Sequence, residues 1–236
     1  MTVVEHLEEL RYRLIVSALT FFVGTIVAWI FYPPIFDLIT FPLDEANKIA
    51  GIKIEGVSVR GVTTAFFVKI KVSIFAGLIF ALPVILFQVW RFITPGLEAK
   101  EKRYAIPFVA GSLGLFLLGA LFAYWVLPQA LGFLLGFGRD LNQILFIDEY
   151  VGFVSFMVLA FGITFEFPML LLFLGAAGII SSSWLRRYRR HAVVLVFVIA
   201  AVATPSQDPY TMGLMAIPLY LMYEGALLII RFIMKK

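Results

Sequence analysis

The chain is 236 residues long, 62% hydrophobic and only 14% charged, with a mean hydropathy of +0.99. A soluble domain carries about a quarter charged residues and could not cover this much apolar surface, so lipid must solvate the excess. Cysteine is absent and the two histidines are His6 and His191, which excludes disulfides, iron–sulfur clusters and thiol catalysis and leaves no metal or other cofactor expected.

The first residues, Met1 to Leu10, are acidic ahead of Arg11. A cleaved signal peptide would start basic, so the N-terminus reads as mature and the first span as an uncleaved anchor. Leu7, Leu10 and Leu14 repeat at helical spacing, which predicts an amphipathic helix running into that span. Glu8 and Glu9 differ by about 100° around it and cannot serve one partner equally. Apolar runs predict six transmembrane helices, about 14–32, 66–90, 105–127, 151–175, 192–203 and 212–230, in one membrane domain covering residues 1–236. Pro33-Pro34 ends the first. Thr94-Pro95-Gly96 turns after the second, Pro128 closes the third, and Thr204 to Pro209 separates the last two. The fifth is short and the sixth is interrupted by Pro218 and Glu224. That pair predicts local bilayer thinning or a tilted hairpin, with a re-entrant hairpin as the alternative. The loops 33–65 and 128–150 are long enough for short surface helices.

The net charge of +4 is a topology signal. Arg11 and Arg13, then Arg91, Lys100, Lys102 and Arg103, then Arg186, Arg187, Arg189 and Arg190, and finally Arg231, Lys235 and Lys236 all fall on one face. Lys48, Lys53, Arg60, Lys69, Lys71 and Arg139 fall on the other. The positive-inside rule then places both termini in the cytoplasm, which an even number of spans permits. Nucleic acid is not needed to explain the basic excess.

Glu166 is the most informative single position. It lies within a span, in Phe165-Glu166-Phe167-Pro168. A carboxylate there costs about 2.5–3.5 kcal/mol on insertion scales, and Pro168 frees backbone carbonyls one turn back and kinks the helix. Its functional reading stands beside a packing role against a neighbouring Thr or Tyr. Glu224 reads either as functional or as a structural carboxylate near Arg231. Glu9 and Glu101 read, on composition, as solvated surface charges. Ser181 precedes Trp184-Leu185-Arg186 and reads as a helix N-cap. No metalloprotease, nucleophile-elbow or phosphate-loop motif is present, so no catalytic residue is expected.

Taken together, several segments are similar to the TatC family, the multispanning receptor subunit of the twin-arginine protein translocase. They are His6-Leu-Glu-Glu-Leu-Arg11, Pro83 through Leu97, Glu101-Lys-Arg103, Phe122-Ala-Tyr124 and Ala160-Phe-Gly162. Phe165-Glu-Phe-Pro168, Thr204-Pro205, Ala216-Ile-Pro218 and Tyr223-Glu224 continue the order. The resemblance implies an all-α polytopic protein with six helices in a concave bundle and both termini in the cytoplasm of a prokaryote, at its inner membrane. It implies binding of the twin-arginine signals of folded cargo by Glu9 and Glu101, with Arg11 and Arg103 orienting those acids, and export driven by the proton gradient. It implies an intramembrane role for Glu166 and a structural one for Pro42, Pro83, Pro168 and Pro218. Single-span TatA and TatB partners would dock near Thr204, Gln207, Asp208 and Glu224, within homo- and hetero-oligomers. The alternatives are a secondary transporter or proton channel using Glu166, and an intramembrane enzyme, for which no nucleophile–base pair is visible.

Overall fold

The computed structural model describes residues 3–51, 56–93, 105–138, 143–206 and 208–234. Glu101, Arg103 and Gln207 lie outside the described residues. Regular structure among the described residues is helical: α1 (Val3–Ile30), α2 (Tyr32–Ala50), α3 (Thr64–Ile93), α4 (Ala105–Gly136), α5 (Ile147–Thr164), α6 (Phe167–Ala176), α7 (Ser182–Arg187), α8 (Arg189–Ala203) and α9 (Pro209–Phe232). The expected all-α membrane architecture is what the chain adopts.

Among the described residues, five stretches are long and apolar enough to cross a membrane: Val4–Ile30, Thr64–Phe92, Ile106–Gly136, Ile147–Ala176 and Pro209–Phe232. They correspond to the first, second, third, fourth and sixth expected spans. The fifth is α8, and its 15 residues rise about 22 Å, short of a hydrocarbon core about 30 Å thick. On α1, Leu14, Leu19, Phe22, Val23, Ile26 and Ile30 are all exposed. Lipid is the solvent that makes such a face stable.

The prolines behave in two ways. Pro33 sits in the first turn of α2, where an N–H would have no intrahelical acceptor, so the proline pair opens α2 directly after the break at Phe31. Pro128 does not close the third span as expected, because α4 runs through it to Gly136. Burial explains the continuation: Leu127, Ala130 and Leu131 are buried on the far side of Pro128 or beside it. Pro42, Pro83 and Pro218 also lie inside helices.

The chain divides into two compact units. The first comprises Met1–Phe92 and Tyr124–Met157. Within it α1 and α3 cross at Gly24 and Gly77, where a Cβ added to Gly24 would lie 2.7 Å from the Gly77 carbonyl oxygen. Close crossings of this kind use small residues because backbones can then approach. Tyr150, fully buried, donates to the Ile39 carbonyl at 2.8 Å, and Tyr124 donates to the Leu38 carbonyl at 2.9 Å, so both tyrosines tie down α2. A parallel bridge joins Ser58 to Phe146, with Ser58 N–H donating to Leu145 at 2.8 Å and Ile147 N–H donating to Ser58 at 3.0 Å. An Arg60–Glu149 ion pair flanks it.

The second unit comprises Ile93–Ala123 and Val158–Lys236. Its core gathers Leu171, Ile180, Leu185, Ala192, Tyr223 and Leu227 from α6 to α9 and the α6–α7 connection. Tyr223 donates to the Leu185 carbonyl at 2.7 Å, satisfying a buried hydroxyl. Ser181 caps α7, accepting from the Trp184 N–H at 3.2 Å, as expected from the sequence.

Candidate functional site

The N-terminal motif folds as the first three turns of α1, with Glu8 exposed and Glu9 half-buried. The difference follows from the 100° step between neighbours on a helix. Arg13, one turn on, donates through Nη2 to Glu9 Oε1 at 2.7 Å and through Nη1 to Gln88 Oε1 of α3 at 2.8 Å. The side chains of Arg13 and Glu9 keep only 11% and 16% of their exposure, so the pair is well shielded. Charge-assisted bonds are strong in such surroundings. Glu9 Oε2 is also shielded and carries no hydrogen bond among the described residues, so this carboxylate retains acceptor capacity. His6 stacks on Phe92 with ring centroids 4.3 Å apart, fastening the same turn of α1 to the end of α3.

The basic residue touching Glu9 is thus Arg13, whereas Arg11 is exposed. The i,i+4 spacing of Glu9 and Arg13 was a visible signal for this contact. Gln88 lies in the Pro83–Leu97 segment, whose sequence assigns it no role. Its part depends on an α1–α3 contact that periodicity alone does not reveal.

Glu166 occupies a break in the fourth span. α5 ends at Thr164 and α6 begins at Phe167, with Pro168 in its first turn. Proline has no N–H, so the Thr164 carbonyl loses the donor that a continuous helix would supply. Glu166 N–H instead donates to Ile163 at 3.0 Å, a tightened three-residue turn. Gly119 of α4 makes room here: a Cβ on it would sit 2.7 Å from the Phe161 carbonyl and 2.9 Å from Phe165. The Phe122 ring packs 5.7 Å from that of Phe165. Buried Ser112 hydrogen bonds to the Glu166 carboxylate, while Glu166 Oε1 is enclosed with no partner among the described residues. A half-satisfied carboxylate at membrane depth is an expensive arrangement.

The turn between α8 and α9 is closed by its own side chains. Thr204 is buried and donates to the Ala200 carbonyl at 2.9 Å. Asp208 caps α9, accepting from the Thr211 N–H at 2.8 Å and from the Ser206 hydroxyl. Burial alone would push the Asp208 carboxyl up, but the hydrogen bonds from Ser206 and Thr211 outweigh it and hold it below its ordinary 3.8. Glu224 was expected near Arg231. It pairs instead with Arg189 of α8 at 2.6 Å and accepts from Tyr220 at 3.1 Å, because Arg189 stands across from it while Arg231 lies farther along α9.

Among the described residues no cluster of His, Asp and Glu could hold a metal ion. Apolar cavities flank α8. The larger, about 740 Å³, is lined from α6, α7, α8 and α9. A smaller one lies between α8 and α9, with Phe197, Ile217 and Leu221 in its wall.

Residues 5–218 match the family model described as Sec-independent protein translocase protein (TatC). The chain is 44% identical to the TatC protein of Aquifex aeolicus over 228 residues, covering 95% of this chain and 92% of that one. It is 42% identical to the TatC protein of Frankia casuarinae over 237 residues, covering 97% of this chain and 65% of that longer relative. Two crystal structures of the twin-arginine translocase receptor TatC, one of them in DDM, superpose with TM-scores of 0.78 and 0.80 at 43% identity. They cover 96% and 95% of this chain and 98% of each of those chains.

Proposed function

Because the chain belongs to the TatC family of Sec-independent protein translocase subunits, we propose that it binds the twin-arginine signals of folded cargo through Glu9. It is a multi-pass membrane protein and a translocase component, not an enzyme. The observation that carries the proposal is the state of Glu9. One oxygen is held by an anchored Arg13 and the other carries no hydrogen bond among the described residues. A fixed carboxylate with a vacant acceptor suits the planar donor fork of a guanidinium. The family's second acid matches Glu101, with Arg103 beside it. Each acid then reads one arginine of the signal, and Arg11 supplies local positive charge to tune the pair.

Export uses the proton gradient across the inner membrane of a prokaryote, with both termini cytoplasmic. Glu166 serves the intramembrane stage, where its vacant oxygen meets the apolar part of the signal or a partner helix. TatA- and TatB-type partners dock along α8 and α9, near the 204–208 turn, Gln207 and Glu224. The exposed apolar residues of α8 outside the larger cavity, among them Val193, Phe197 and Val202, support that surface. The test is fluorescence anisotropy with a labelled twin-arginine peptide and the purified protein. Glu9→Gln and Glu101→Gln each abolish binding while the protein remains folded; wild-type affinity in the double variant overturns the reading.

A further inference from the structure

We propose that the cavity beside α8 is a binding site for one anionic diacyl phospholipid, with an acyl chain in the cavity and the phosphate at Arg190 and His191. The cavity is about 740 Å³, and Arg190 and His191 stand in its wall with Trp184 and Tyr188. Deeper in, Val194, Leu195 and Val198 of α8 face it. From Arg190 to Val198 the helix rises about 12 Å, enough to lead from headgroup level into the acyl region.

The floor is built for hydrocarbon. Leu171, Leu185, Ala192 and Tyr223 form it and are buried. The one hydroxyl among them, on Tyr223, is already committed to the Leu185 carbonyl at 2.7 Å. A polar ligand would therefore find no partner there and would lose its hydration.

The mouth is built for an anion. Arg190, in the cavity wall, is exposed and stands outside the ion pairs among the described residues, as do Arg186 and Arg187 at the end of α7, whereas Arg189 is neutralised by Glu224 at 2.6 Å. The N-terminus of α8 opens at the same place, and its N-cap residue, Tyr188, makes no side-chain cap. Free first-turn N–H groups favour a phosphate. Trp184, Tyr188 and His191 pack in sequence, with centroids 4.7 Å and then 5.3 Å apart, as aromatic residues do at a membrane interface. An apolar partner helix would fill the cavity and leave Arg190 unanswered. An anionic lipid answers both parts at once.

Native mass spectrometry of the full chain released from nanodiscs of equal dioleoylphosphatidylglycerol and dioleoylphosphatidylcholine tests this. The wild type retains one lipid and prefers the anionic one, by about fivefold for each basic group engaged. The double variant Arg190→Gln, His191→Gln loses that preference with its thermal unfolding unchanged. Leu195→Trp with Val198→Trp fills the cavity and loses both lipids. Arg231→Gln, away from the cavity lining, behaves as wild type. Retention of both lipids alike by the wild type, or an undiminished preference in the Arg190/His191 variant, overturns the proposal. A wild type that carries a second polypeptide in place of lipid overturns it in favour of a protein occupant.

Discussion

Arg13 reaches back one turn of α1 to hold Glu9 at 2.7 Å, and its other terminal nitrogen is held by Gln88 at 2.8 Å. The carboxylate proposed to read the signal is thereby fixed by a guanidinium that is itself fixed. Arg13→Ala is expected to weaken twin-arginine peptide binding by about twentyfold, the worth of about 1.8 kcal/mol and within the range of a charged hydrogen bond. Arg13→Lys restores charge without the fork and recovers only part of the loss. Peptide anisotropy reads both. An unchanged affinity in Arg13→Ala would separate Glu9 from the signal-binding role.

Glu166 is expected to trade stability against transport. Replacing it with Leu removes an enclosed oxygen that has no partner among the described residues, and relieves a desolvation cost of about 1–3 kcal/mol. The thermal midpoint in detergent should hold or rise while export of a twin-arginine reporter in cells is lost. Loss of both together would mark Glu166 as a packing residue.

Asp208 gives a pH signature. Its carboxyl is held below its ordinary 3.8, so its contribution to stability is fully present above that pH and is lost as pH falls below it. Asp208→Ala should lower stability at neutral pH by about 1 kcal/mol through loss of the N-cap. Asp208→Asn keeps the cap and removes the acid dependence. Thermal unfolding of the three proteins between pH 3 and 7 reads the difference.

The α1–α3 crossing predicts steric intolerance. A Cβ on Gly77 would stand 2.5 Å from the Thr25 backbone nitrogen, so Gly77→Ala should cost about 1–3 kcal/mol by overpacking. Gly136→Ala, where a Cβ meets nothing within 4 Å, is the control for a generic glycine effect. Unfolding in a denaturing detergent, followed by circular dichroism, orders the two.

Much of this architecture could be read from the residues because lipid imposes a simple rule: long apolar runs become helices. The break at Glu166 was equally legible, since proline and a carboxylate together announce it. Pro128 misled because a missing N–H is a local signal, whereas the burial of Leu127, Ala130 and Leu131 that carries α4 onward is a tertiary one. The partners of Glu9 and Glu224 were hidden for the same reason. Arg13 was within reach at i+4, but Gln88 lies 75 residues away. Glu224 found Arg189 across 35 residues rather than Arg231 on its own helix. Side-chain pairing between helices depends on rotation about each axis, which hydropathy does not encode.

The bridge between Ser58 and Phe146 has a consequence for biogenesis. Arg60 and Glu149, which flank it, are 89 residues apart. Two membrane helices, α3 and α4, separate them along the chain, so neither strand-like end can find the other until both helices have been threaded. Until then the Ser58 N–H and carbonyl lack the partners that Leu145 and Ile147 supply, so the seam is among the last contacts of this unit to close.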